Sequence, residues 1–309
     1  MEENYSVILG PTASGKSSLA MDLAKEIDGE IISADSAQVY KYMDIGTAKP
    51  TSKEQSQIPH HIIDVIAPNE IFSVYDFQNL SQKVITEIKK RGNYPIVVGG
   101  TGLFVRALTE DFSLVEVPED KEIRFKYQDI GQKKGNYYLH SLLKDKDEYA
   151  YKKLHPNDWR RVIRALEVYE LTGKSIYQLQ QKDEDIENKQ INFYGLWMNR
   201  QRLYSRINAR VDQMINDGLV EEVKTLLKLG FSKESNALKA IGYRQVIMYL
   251  DNQVDYNEMV RLIKRDTRRY AKRQLTWFRK MNNITWFDLD QRSITEVKTE
   301  ILKQLQEKS

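Results

Sequence analysis

Tyr5-Ser6-Val7-Ile8-Leu9-Gly10-Pro11-Thr12-Ala13-Ser14-Gly15-Lys16-Ser17 decides how the chain begins. A short apolar run from Tyr5 to Leu9 ends at glycine, and Gly10 to Ser17 then fits the spacing G-x-x-x-x-G-K-[ST]. Ser18 to Ile27 follows with Leu19, Leu23 and Ile27 at helical intervals, so the order is strand, loop, helix. That context makes the pattern a phosphate-binding P-loop. Its glycines let backbone N–H groups turn inward around phosphate oxygens, and a helix beginning near Lys16 adds unsatisfied N–H groups and its positive dipole end. Lys16 adds a mobile charge, and the Ser17 hydroxyl is a candidate Mg²⁺ ligand. The loop names a phosphate and leaves the reaction open, since kinases, NTPases and sulfotransferase-like enzymes share it.

Outward from the loop, Gly29 to Ser33, His61 to Ile66 and Tyr94 to Val98 read as further short strands, with helical patterns such as Tyr75 to Lys90 between them. Strands alternating with helices predict an α/β fold, a parallel sheet flanked by helices. After about Val115 the sequence becomes rich in Lys, Asp, Tyr and Leu at helical spacing, and strand-like runs return at Ile191 to Met198 and Ile284 to Leu289. The expected organisation is a P-loop core of residues 1–115 and 191–309, interrupted by a mostly helical insertion at 116–190.

The 309 residues suffice for a large core with one insertion, and 41% hydrophobic and 29% charged residues fall in the globular range. The absence of cysteine excludes disulfides, a thiol nucleophile and thiolate-held zinc or iron-sulfur sites. Neither a signal-peptide pattern nor an apolar run of about 18 residues is present, so a cytoplasmic protein with no membrane association is expected. The balance of 47 basic and 44 acidic residues, a formal charge of +3, does not by itself imply a nucleic-acid partner. Its distribution is uneven: Arg261 to Lys280 holds nine Lys or Arg against one acid, Asp266. Arg261, Arg265, Arg268, Arg269, Lys272 and Arg279 recur at helical spacing there, either as a polyanion-binding face or as an ordinary solvated one.

Beyond the second strand stands Asp35-Ser36-Ala37-Gln38-Val39-Tyr40. Residues at the carboxyl ends of neighbouring parallel strands share one crevice, so Asp35 should face the phosphate, as metal ligand or proton acceptor; the alternative is a cap of the next turn. Thr101, in Gly99-Gly100-Thr101-Gly102, opens onto the same crevice after the fourth predicted strand. His60, His61 and Asp64 do not make a convincing metal site, because adjacent residues of a strand point to opposite faces.

Read together, GPTASGKS from Gly10, DSAQVY from Asp35, MDIGTAKP from Met43, PHHIIDV from Pro59 and GGTGLF from Gly99 resemble the tRNA dimethylallyltransferases, also called tRNA isopentenyltransferases, of the bacterial type. The likeness continues through PNDWRRVIRALEVYELTGK from Pro156, RINARVDQM from Arg206, GLVEEV from Gly218, AIGYRQ from Ala240 and RRYAKRQLTWFR from Arg268. The resemblance implies transfer of a dimethylallyl group from dimethylallyl diphosphate to N6 of the adenosine immediately 3′ of the anticodon, with release of pyrophosphate. It makes Gly10, Pro11, Thr12, Ala13, Ser14, Gly15, Lys16, Ser17 and Arg210 the diphosphate site, with Mg²⁺ on Ser17. Asp35 becomes the general base, with Thr101 and Ser17 as further catalytic residues. Asp35, Ser36, Ala37 and Gln38 would read the extruded adenosine, with Thr101 beside them. Arg124, Trp159, Arg160, Arg161, Val162, Ile163 and Arg164 in the insertion, and Gly242, Tyr243 and Arg244 in the core, would contact the tRNA anticodon stem-loop. A monomer is expected. From the residues alone, a P-loop kinase, an adenylate isopentenyltransferase and an RNA-binding protein with a vestigial loop remain open.

Overall fold

The computed structural model describes residues 4–109, 117–179 and 190–307. These divide into two compact units, one formed by 4–109 with 190–307 and the other by 117–179. The boundary expected between Val115 and Glu116 lies outside the described residues.

In the larger unit, β1 (Tyr5–Leu9), β2 (Gly29–Ala34), β3 (His60–His61), β4 (Tyr94–Gly99), β5 (Ile191–Trp197) and β6 (Ile284–Asp288) form one parallel sheet in the order β3-β2-β4-β1-β5-β6. Every residue of β1 is buried, as a central parallel strand with both faces covered requires. Its side chains alternate: Tyr5, Val7 and Leu9 enter one hydrophobic core and Ile8 the other. α1 (Lys16–Glu26) packs Leu19 and Leu23 into the second core, with Val297 and Ile301 of the C-terminal helix. α2 (Ser52–Gln57) is short and buries no residue, whereas α3 (Val74–Lys90) and α4 (Gly102–Thr109) fill the first core with Phe77, Val84, Ile88, Phe104 and Val105.

The third strand is shorter than its apolar run suggests. Ile62 and Asp64 take φ of 60° and 54°, which break the extension after His61. Asp64 and Val65 then donate backbone bonds to Gln38 and Val39, and the run ends in a lone bridge between Tyr40 and Ile66.

In the smaller unit, α5 (Lys121–Lys134), α6 (Asn136–Ser141), α7 (Glu148–Lys153), α8 (Trp159–Thr172) and α9 (Ile176–Leu179) enclose their own core of Tyr127, Leu139, Leu143, Ala150, Val162, Ile163, Ala165 and Leu166. No strand occurs among its described residues.

The chain then returns to the sheet and adds α10 (Arg200–Asn216), α11 (Leu219–Lys228), α12 (Tyr243–Leu250), α13 (Tyr256–Phe278) and α14 (Ile294–Gln306). α10 and α13 each supply residues to both cores of the larger unit: Ile207 and Ala271 to one, Val211 and Ile263 to the other. Both helices therefore pass the edge of the sheet and bring polar side chains to the loops there.

Candidate active site at the carboxyl edge of the sheet

The loop after β1 is shaped for an anion. Ala13 and Gly15 have φ of 64° and 103°, the left-handed turns that aim successive N–H groups into a concavity. At Gly10 a side chain is impossible, because a Cβ would stand 2.6 Å from the Leu196 carbonyl oxygen. α1 begins with no side-chain cap on Gly15, although Thr51, Ser73, Asn199, Asp255 and Ser293 each cap their own helices. The first-turn N–H groups of α1 are thus left for a ligand. The Ser14 hydroxyl is buried without a partner, and the exposed Ser17 hydroxyl has none among the described residues.

Cations gather here in excess of their counter-charges. The Lys16 ammonium donates to the Pro11 carbonyl at 2.8 Å, and Arg206 donates through Nε to the Ala13 carbonyl at 2.7 Å. Burial, helped by the charge of Arg210 and opposed by Asp35, brings the Lys16 ammonium down to about 7. Burial likewise lowers Arg210, with Asp35 opposing and Arg206 adding to the effect. Arg210 has no hydrogen-bond or ion-pair partner among the described residues. A half-buried, unpaired guanidinium beside an ammonium near neutrality is a destabilising arrangement that an anion between them relieves.

Asp35 follows β2 directly, one strand beyond β4. Its Oδ1 accepts the Ala37 N–H at 2.9 Å, and Oδ2 has no protein partner among the described residues. Thr101 follows β4: its N–H donates to the Ala34 carbonyl, and its Oγ1 accepts from the Ser36 N–H at 3.1 Å and donates to the Ser36 hydroxyl at 3.3 Å. Gly99 must be glycine, since a Cβ would stand 2.2 Å from the Ala34 carbonyl oxygen. Asp35, Ser36 and Thr101 are thereby locked together at the same sheet edge as the P-loop, and the electrostatic coupling of Asp35 to Lys16 and Arg210 ties the two halves.

Three residues of this site, Arg206, Tyr270 and Gln274, were not anticipated from the sequence. Tyr270 of α13 lies close to Thr101 and Gln274; burial and the Asp35 charge, opposed by those two polar side chains, push its phenol up to about 12. Gln274 bonds both the P-loop and the loop after β4. With Trp277, which packs on Gly102, they lie at i, i+4 and i+7 on one helix face, a stripe within the basic segment that was legible had it been read for its uncharged residues.

Other expected site residues have partners within the protein. The Gln38 amide accepts from Ser33 and donates to the carbonyls of Thr47 and Ala48, so it is spent within its own loop. Tyr243 is buried and donates to Glu222, whose carboxylate also receives the N–H groups of Asp44, Ile45 and Gly46. Gly242 starts α12 with its N–H on Gln245, and Arg244 pairs with Asp266 at 2.7 Å. His61 bonds Glu30, His60 bonds the Ile58 carbonyl and Asp64 pairs with Lys49, so these three do not converge.

In the helical unit the expected tRNA-contacting residues differ in burial and in their partners. Val162 and Ile163 are core residues, because α8 buries that side. Trp159 packs on Gly131 and donates its indole N–H to Asn136 at 2.7 Å. Arg124 and Arg164 both grip Glu167, whose side chain is fully buried, and Arg124 also pairs with Glu119. Of the arginines expected at tRNA in this unit, Arg160 and Arg161 are exposed, Arg161 in a long 3.4 Å pair with Asp158.

This architecture is shared with characterised proteins. A family model described as IPP transferase matches residues 38–281. The chain is 48% identical over 303 residues to the tRNA dimethylallyltransferase of Carboxydothermus hydrogenoformans, an alignment covering 98% of this chain and 97% of that protein. The crystal structure of the tRNA isopentenylpyrophosphate transferase from Bacillus halodurans superposes with a TM-score of 0.73 at 44% identity, covering 99% of this chain and 98% of that one. A eukaryotic dimethylallyltransferase acting on tRNA gives a TM-score of 0.77 at 30% identity, over 93% of this chain and 74% of the other. The sheet, the P-loop with its unpaired cations and the facing carboxylate, taken with this full-length similarity, identify the chain as a member of the IPP transferase family.

Proposed function

We propose that the chain transfers a dimethylallyl group from dimethylallyl diphosphate to the N6 amine of the adenosine immediately 3′ of the anticodon in tRNA, releasing pyrophosphate. The observation that carries this reading is the uncapped start of α1 with Lys16 and unpaired Arg210, coupled to a carboxylate, Asp35, with a free oxygen.

The donor's diphosphate lies in the P-loop, held by the first-turn N–H groups of α1, Lys16 and Arg210. As the C–O bond to the prenyl group lengthens, charge accumulates on the departing pyrophosphate, and these preorganised groups stabilise it. The adenine amine is a weak nucleophile because its lone pair is delocalised into the ring. Asp35 orients it and accepts its proton as the N–C bond forms. Ser36 and Thr101, bonded to each other, hold the acceptor side of the crevice. The base reaches them extruded from its stack.

The free Ser17 hydroxyl fits a Mg²⁺ ligand; among the described residues no cluster of three His, Asp or Glu could hold a metal, so phosphate oxygens and water would complete the shell. When bound, the ion supplies further neutralisation of the diphosphate.

In the helical unit, exposed Arg160 and Arg161 are the candidates for phosphates of the anticodon stem-loop. Exposed Lys272 of α13 and Arg279, which caps its end, are candidates too. On this reading a monomeric enzyme meets tRNA in the cytoplasm; among the described residues no helix is long and apolar enough to cross a membrane.

The test is incubation with labelled dimethylallyl diphosphate and unmodified tRNA, beside AMP and ATP. Label in tRNA alone supports the proposal. Label in AMP, or ATP turnover without prenyl transfer, refutes it.

A further inference from the structure

The buried side chain of Gln274 lies between loops that leave two different strands. Its Oε1 accepts the Thr12 N–H at 2.8 Å, and its Nε2 donates to the Gly100 carbonyl at 2.9 Å. The fit leaves no slack: a Cβ on Gly100 would stand 2.1 Å from Nε2. One turn earlier, Tyr270 lies close to Thr101 and Gln274. One turn later, Trp277 closes over Gly102, where a Cβ would stand 2.3 Å from the indole.

The arrangement is costly unless it has a use. Backbone N–H groups of a phosphate loop are ordinarily the ligand's own donors, yet that of Thr12 is withdrawn to an amide from a helix 262 residues away in sequence. The same amide reaches the neighbour of Thr101 on the acceptor side, and no other side chain among the described residues bonds both loops.

We propose that Gln274 is a positioning residue that fixes the separation between the loop holding the donor diphosphate and the loop carrying Thr101 beside Asp35. The inference rests on the prenyl-transfer reading. In that reaction the N6 amine forms its bond to the prenyl carbon as the carbon–oxygen bond to pyrophosphate breaks, Asp35 taking the proton. Nucleophile and leaving oxygen sit on different loops, and a misplacement of about 1 Å costs on the order of a hundredfold in rate.

Two variants separate positioning from mere packing. Gln274→Glu keeps an acceptor for the Thr12 N–H but turns a carboxylate oxygen against the Gly100 carbonyl; Gln274→Ala removes both bonds. Steady-state kinetics should show kcat of Gln274→Glu reduced about 30- to 100-fold with KM for donor and tRNA within about threefold. Amide hydrogen exchange of Thr12 should be slow in the wild type and in Gln274→Glu, and fast in Gln274→Ala. An unchanged kcat in Gln274→Glu, or a fall matched by loss of folded protein on melting, overturns the proposal. A wild type that does not prenylate tRNA refutes the functional reading by itself. Thr12 exchange then still decides the tie, since protection that survives Gln274→Ala overturns it without any turnover.

Discussion

Arg210 and Arg124 are both arginines that the family resemblance assigns to a substrate, and they sit in opposite electrostatic conditions. Arg210, in the core unit, has no partner among the described residues, and burial lowers its pKa against the pull of Asp35. Around Arg124, in the helical unit, burial also works against the charge, but hydrogen bonds to Glu167 and Glu119 outweigh it and raise its pKa. A guanidinium whose charge is already answered holds the fold, and one left unanswered waits for an anion. Matching an arginine to a motif does not distinguish the two; counting its partners does.

The sharpest break of that comparison is Arg210→Gln. Removing a group that stabilises charge on the leaving pyrophosphate should lower kcat/KM by about 10²- to 10³-fold, while thermal melting of the free protein stays unchanged or rises, because an unpaired desolvated charge has gone. A melting temperature that falls along with activity would make Arg210 a structural residue like Arg124.

The converse variant is Glu167→Gln, which leaves Arg124 and Arg164 facing one another across a neutral amide. Breaking a buried pair this way costs about 3 kcal/mol, the lower end of the usual range because both guanidiniums stay partly in water. Denaturant unfolding should register that loss in the helical unit, with affinity for dimethylallyl diphosphate unaltered.

Lys16 offers a pH test of the core side. In the free protein its pKa is about 7, and a bound diphosphate must raise it by pairing with the ammonium. Donor affinity is therefore fully present below pH 7 and is lost as pH rises through the window between the free and bound pKa values, by at most about tenfold per pH unit. The dissociation constant measured from pH 7 to 9 should rise accordingly; a flat profile would show that Lys16 does not meet the donor.

The smallest effect separates residues within α8. Arg160→Ala should reduce the salt dependence of tRNA binding by about one phosphate contact, whereas Arg124→Gln should leave that slope as it is. Equal slopes for wild type and Arg160→Ala would remove Arg160 from the tRNA surface.

What the sequence disclosed follows the same division between local and distant causes. The P-loop, β1 and α1 were legible because each rests on neighbouring residues: an apolar run, glycines where the backbone turns left-handed, and leucines at helical spacing. The third strand was overread because its apolar residues continue after Ile62 and Asp64 have left the extended region, and hydropathy does not record φ. Val162 and Ile163 lie in the helical core with Leu166, as their apolar spacing indicates, whereas their expected tRNA contact rests on their place in a matched block. Tyr270 and Gln274 were missed for a different reason. Their roles are set by loops far away in sequence, and the nine basic residues between Arg261 and Lys280 mark this segment by charge alone.

Single-turnover transfer from labelled dimethylallyl diphosphate to saturating unmodified tRNA, comparing wild type with Asp35→Asn, tests the proposed chemistry most directly. The account predicts a transfer rate lowered by about 10²- to 10⁴-fold, with donor affinity within threefold because Lys16, Arg210 and the start of α1 are untouched. Transfer at the wild-type rate would contradict the assignment of Asp35 as the base.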